Sequence, residues 1–203
     1  KLKELTWETR TADGWCTGTG AINLSSGSLT NTNIYDTGIQ KLRGVTDLNL
    51  SYNQFTRLPK LPWSVTKINL SHNLITGRDS YYQWTFMGIQ WVGCWNAGMT
   101  DIDLSYNQIT STAGGIWSLN GRGGWQSCAF PLLQNINFSH NNIVSIGQSW
   151  NSPGSYNYSY DFWNTWIKSI DYSSNNIQYL PQEFISYRNL TYLDLSSNGT
   201  TYL

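Results

Sequence analysis

The side chains in this chain with chemistry to offer are few, and most of them recur at matching places. His72 and His140 stand in the sister phrases Leu70-Ser-His-Asn73 and Phe138-Ser-His-Asn141, and Tyr52 and Tyr106 hold the same place in two more. Imidazoles can ligate a metal or act as bases. A zinc ion needs several donors, each about 2 Å from it, and a base needs a nucleophile and an orienting group beside it. The phrases around His72 and His140 supply no Ser, Cys or carboxylate placed as such a partner. Asp103, Asp171 and Asp194 also recur, each directly before an apolar residue and a serine. A calcium site would need six to eight oxygens around one ion, so a solvated polar face is the better reading of this column. No set combines nucleophile, base and oxyanion donors. The expectation is a non-enzyme with no cofactor and no metal.

The residues that carry these groups belong to a repeated phrase. Its first clear copy is Val45-Thr-Asp-Leu48-Asn-Leu50-Ser-Tyr-Asn53-Gln-Phe55. It returns at Val65–Ile75, Met99–Ile109, Leu133–Ile143 and Ile167–Ile177, and in frayed form at Leu190–Thr200. A weaker copy, Thr19–Leu29, has Gly27 where the others have asparagine. The first, fourth and sixth places are apolar and point inward from a short strand and its approach. One such coil cannot bury its apolar face alone, so stacked coils must share a core. The asparagine ladder Asn53, Asn73, Asn107, Asn141, Asn175 and Asn198 turns the chain out of each strand. Its amides can donate to and accept from backbone groups that would otherwise be buried without partners.

The phrase reads L-x-x-L-x-L-x-x-N-x-L and resembles the extracellular leucine-rich-repeat family over Thr19–Leu203. The resemblance implies a leucine-rich-repeat solenoid with a parallel β-sheet on its concave face, and a role in protein interaction. Residues 1–18 are read as an N-terminal cap or part-repeat and 19–203 as the array, with repeats starting at 19, 45, 65, 99, 133, 167 and 190. Three successive intervals are 34 residues long, each adding a return segment rich in Gly, Ser, Tyr and Trp. Such segments favour an irregular convex side with little helix. Equal length sets Trp91 beside Trp125 in one column and places Trp95 and Trp163, two repeats apart, in another. These rings either fill an outer core beneath the loops or form a flat contact surface.

Twelve basic and twelve acidic residues cancel, and no basic stripe appears, which argues against nucleic acid as a partner. Charged residues are only 12% and aromatics 15%, a balance that favours association over solubility. The uncharged stretch Ser80–Thr100 has the length of a membrane span, but Gln83, Gln90, Asn96 and glycines interrupt it, so no membrane span is expected. The first residues, Lys1-Leu-Lys-Glu4, suit a processed or partly observed protein.

Cys94 and Cys128 lie one 34-residue repeat apart. Neighbouring coils stack roughly 5 Å apart, and bridged cysteines need Cα atoms roughly 4.4–6.8 Å apart. An inter-coil disulfide is expected, and with it a secreted or cell-surface location, the alternative being two buried free thiols in an intracellular protein. Cys16 is left over, as a free thiol or a bridge to another subunit. The sequons at Asn157, Asn49, Asn69, Asn137, Asn23 and Asn189 are glycosylation candidates, whereas Asn198 belongs to the inward ladder.

Two functions fit. The first is a structural extracellular protein that self-associates head to tail, possible because Leu190–Leu203 and Lys1–Gly18 together approach the length of one long repeat. Such a heterologous contact need not close and could build a filament. The alternative is a receptor or adhesion ectodomain that binds a protein, peptide or glycan on the concave face. Contact candidates are the outward column Tyr52, His72, Tyr106 and His140, with Trp91 and Trp125. Its two histidines, two coils apart at roughly 10 Å, cannot share one metal ion.

Overall fold

Each copy of the phrase contributes one strand, and the strands lie side by side in chain order. A computed structural model describes residues 16–31, 42–56, 59, 61–62, 64–76, 98–110, 112, 132–144, 146, 166–178 and 188–199. The strands are β1 (Cys16–Asn23), β2 (Leu42–Asn49), β3 (Lys67–Asn69), β4 (Asp101–Asp103), β5 (Asn135–Asn137), β6 (Ser169–Asp171) and β7 (Tyr192–Asp194). They form a single seven-stranded parallel sheet in the order β1 to β7. The described segments beside the strands hold almost no helix. Cys94, Cys128, Trp91, Trp125, Trp95, Trp163 and Asn157 lie outside the described residues, as do residues 1–15 of the expected cap.

The register is the one the repeat dictates: Leu48, Ile68, Ile102, Ile136, Ile170 and Leu193 are successive partners. A strand alternates its faces, so these residues point into the core while the residues on either side face out. Core columns run through Val45, Val65, Met99, Leu133 and Ile167, and through Leu50, Leu70, Leu104, Phe138 and Tyr172, all buried. The last coil differs, because Leu190, Leu193 and Leu195 are only partly buried. Where the sixth position turns aromatic, Phe138 and Tyr172 stack with ring centroids 5.2 Å apart. Tyr172 is wholly buried and its hydroxyl pKa is pushed far above the ordinary phenol value, chiefly by desolvation, with the Thr112 side chain pulling the other way.

The asparagine ladder ties each coil to the one before it. Asn107 Nδ2 donates to the carbonyls of Leu70, Leu104 and Ser105, and its Oδ1 accepts the N–H of Ile75. Asn53, Asn73, Asn141, Asn175 and Asn198 repeat the scheme. Gly27, in the ladder position of the first coil, has no amide to offer. Instead its own N–H and that of Leu29 donate to Asn53 Oδ1.

β1 and β2, at eight residues each, are longer than the other strands, and their pairing slips between Thr17 and Ala21. Gly20 and Gly44 absorb that irregularity with φ of 68° and 79°, a region open to glycine without a steric penalty.

A candidate recognition surface

The chain leaves every strand through the same bend, and that bend builds the first notable surface feature. The residue ahead of each ladder position, Gly27 included, adopts a left-handed conformation: Ser26, Tyr52, His72, Tyr106, His140, Ser174 and Ser197 all have φ between 53° and 55°. Left-handed backbone costs a non-glycine residue roughly 1–2 kcal/mol. The ladder and inter-coil hydrogen bonds hold it in place. Tyr52 N–H, for example, donates to Ser71 O, and His72 N–H to Ser105 O.

Because every coil bends alike, the four rings fall into a continuous stack. Tyr52 and His72 lie 4.1 Å apart between centroids, His72 and Tyr106 4.2 Å, and Tyr106 and His140 4.1 Å. Interplanar angles are 9°, 9° and 11°. The sequence placed this column on the strand face; the structure sets it beyond the strand ends, in the bend. Stacking consumes the inner ring faces and leaves edges, hydroxyls and imidazole nitrogens toward solvent. The two outermost rings keep one face clear of the stack, and Tyr52 is accordingly 57% exposed against 45% for the interior Tyr106.

The strands carry the second feature. Their outward residues form two columns. One is Asp47, Lys67, Asp101, Asn135, Ser169 and Tyr192; the other is Asn49, Asn69, Asp103, Asn137, Asp171 and Asp194. All of these but Asp194 floor a shallow trough of about 580 Å³ that crosses the sheet. In the second column each Oδ1 accepts the N–H two residues on, as from Asn49 to Ser51, Asn69 to Ser71, Asp103 to Ser105, Asn137 to Ser139 and Asp171 to Ser173. These side chains therefore have a structural task, starting the turn, and a second polar atom left over. The spacing of Asn and Asp against the following serine carried this signal, but the sequence reading did not use it. It also missed the threonine row: Thr66 Oγ1 donates to Thr46 O, Thr100 Oγ1 to Thr66 O and Thr191 Oγ1 to Lys168 O.

The trough is acidic although the whole chain is neutral. Asp47, Asp101, Asp103 and Asp171 line it with one cation, Lys67, and no ion pair neutralises them among the described residues. At its far end Tyr192 OH donates to Asp194 Oδ2 at 3.2 Å, which raises the Tyr192 pKa. The Ser196 backbone and side chain bond Asp194 and hold its carboxyl below the usual range. No group of three His, Cys, Asp or Glu among the described residues is arranged to hold a metal ion. No helix among them is long and apolar enough to cross a membrane.

The sequon residues are placed unevenly. Asn49, Asn69 and Asn137 are half-buried on the trough floor, while Asn23 and Asn189 are exposed.

Comparison with solved structures fits this geometry. A leucine-rich repeat protein from Bacteroides thetaiotaomicron VPI-5482 superposes with a TM-score of 0.57 over 95% of this chain and 22% of that one, at 18% identity. The chain is a leucine-rich-repeat solenoid. The Leucine Rich repeat family model matches residues 188–199, within the last copy. The leucine-rich-repeat domain of APL1B aligns over 88% of this chain and 45% of its own, at 19% identity and a TM-score of 0.48. The functional domain of InlJ from Listeria monocytogenes aligns over 90% and 40%, at 20% identity and a TM-score of 0.35. This leucine-rich-repeat chain thus spans less than half the length of each of these three. No curated protein sequence matches it.

Proposed function

We propose that this protein is a non-catalytic recognition module that captures its partner along the open sheet. One observation carries the reading. The trough and the ring stack beside it present polar atoms and ring edges that the fold does not use, in registered rows across the coils. A scaffold has no need of such rows, whereas a binding face does. Placement outside the cell belongs to the same proposal, supported by the exposed sequons Asn23 and Asn189. The test is a blocking substitution. Asn135→Trp fills the trough from an outward position and leaves the core untouched. Fluorescent wild-type chain should label intact cells or matrix of the producing organism, and the variant, equally folded by circular dichroism, should not. Equal labelling by both would exclude the trough.

A second reading keeps the head-to-tail association. Leu190, Leu193 and Leu195 are only partly buried, as is Ile22 in the first coil, and one such face of another copy would cover the other. Light scattering decides it: particle mass should rise with concentration, and a constant monomer mass removes this reading. A disulfide between Cys94 and Cys128 remains part of the extracellular proposal. Mass spectrometry before and after reduction should show a gain of two hydrogens.

A further inference from the structure

The trough is defined as much by what it lacks as by what it holds. Protein interfaces are anchored by apolar and aromatic side chains packed at their centre. Here the outward side chains are amides, carboxylates, a serine, a lysine and the small Ala21, with Tyr192 the one ring among the lining residues. That is poor material for a protein hot spot. It suits a ligand made of hydroxyls that also owns a flat, weakly polar ring face.

We propose that the trough takes an oligosaccharide of amino sugars, one ring of which stacks on Tyr192. The inference rests on the recognition reading above and names its ligand class. Tyr192 is 50% exposed, and its ring is held in orientation by the hydrogen bond from its hydroxyl to Asp194. A platform already oriented loses little freedom when a ring settles on it.

Next to it in register stand Ser169 and Asp171 on β6, then Asn135 and Asn137 on β5. Among the described residues the Ser169 hydroxyl, Asp171 Oδ2 and Asn137 Nδ2 take no hydrogen bond, since Asp171 and Asn137 engage their turns through Oδ1 alone. Together they offer a donor, an acceptor and a group that is both, on strands about 4.8 Å apart. Sugar hydroxyls both donate and accept and need such a mixed set.

Charge narrows the class. The lining carboxylates outnumber Lys67 and have no ion pair within the described residues. They repel uronates and sulfated sugars and attract the ammonium of a hexosamine.

The experiment is calorimetric titration of the intact chain with a β-1,4-linked glucosamine hexamer at physiological salt. The fully N-acetylated hexamer, a hexagalacturonate and hexalysine serve as comparisons. The expected order is glucosamine hexamer first, the acetylated hexamer weaker, and the uronate and hexalysine without measurable binding. Tyr192→Ala should weaken the hexamer about tenfold, while Tyr192→Phe keeps the ring but loses its bond to Asp194 and should fall between the two. Asp171→Asn gives a variant whose fold is secure, because Asn fills the same column and the same turn at residues 49, 69 and 137. It should weaken the cationic hexamer about fivefold and leave the acetylated one unchanged. Hexalysine binding as tightly as the sugar, or Tyr192→Ala binding like wild type, would overturn the proposal. So would no saccharide binding in a chain whose cell labelling is lost on Asn135→Trp, and that result would leave the recognition reading standing.

Discussion

Asn107 holds the buried N–H of Ile75, 32 residues earlier, at 3.0 Å. Ile75 belongs to the preceding coil and is wholly buried. Three amide donations from the same side chain close the carbonyls of Leu70, Leu104 and Ser105. Those oxygens keep other partners if Asn107 is lost: Asn73, Asn141 and the His72 N–H reach them too. The Ile75 N–H does not.

Asn107→Ala is therefore expected to orphan one buried donor and remove the bonds around it, costing about 2–4 kcal/mol. Asn198→Ala, in a half-exposed coil that water reaches, should cost about 1–2 kcal/mol. Urea unfolding measures both. Equal costs would show that burial does not set the strength of the ladder.

The ladder, the core columns and the parallel register were legible in the sequence because a period of repeated residue types fixes neighbours without any long-range calculation. Leu48, Ile68 and Ile102 share a letter class and a place, so they had to touch. The ring stack was half legible. The column Tyr52, His72, Tyr106 and His140 could be read, but its left-handed bend could not, since no glycine marks it. Nor did composition reveal the acidic trough. The whole chain is neutral, and only the alternation of faces along the strands separates Asp47, Asp101 and Asp103 from the rest.

Gly27 tests the difference between position and environment. By the repeat it is a missing asparagine, and restoring one looks favourable. In the structure a Cβ there would lie 3.2 Å from Leu29 Cγ and 3.3 Å from Asn53 Oδ1, and Asn53 already accepts the Gly27 N–H. Gly27→Asn should displace the Asn53 amide and destabilise by about 1–2 kcal/mol. A higher melting temperature in the variant would contradict the crowding argument.

The stack predicts different outcomes for the same substitution at equivalent backbones. Ser174 and His72 share the same left-handed φ, at 54° and 53°. Glycine relieves that strain at both but adds freedom to the unfolded chain. At Ser174 nothing else is lost among the ring contacts, so Ser174→Gly should change stability by less than about 1 kcal/mol. His72→Gly also removes contacts with Tyr52 and Tyr106, each worth about 0.5–1.5 kcal/mol. It should be destabilised by about 1–2 kcal/mol and lose near-ultraviolet circular dichroism from the stacked tyrosines. Indistinguishable melts and spectra for the two variants would mean that the rings only lie near one another.

Tyr172 gives the chain a defined weakness at alkaline pH. Burial raises the pKa of its hydroxyl above the ordinary phenol value of 10.0, so the folded protein keeps this phenol neutral where the unfolded chain ionises it. The stabilising difference is complete below pH 10.0, the unfolded value, and is lost progressively above it, as the unfolded state gains the option of releasing a proton. Tyr172→Phe removes that option. Ring stacking on Phe138 is kept, so the variant should stay close to wild-type stability at neutral pH. Between neutrality and strongly alkaline pH the wild type should lose more unfolding free energy than the variant, the gap growing by up to about 1.4 kcal/mol for each pH unit above the unfolded pKa. Urea midpoints measured across that range give the two slopes, and parallel slopes would place the ionising phenol elsewhere.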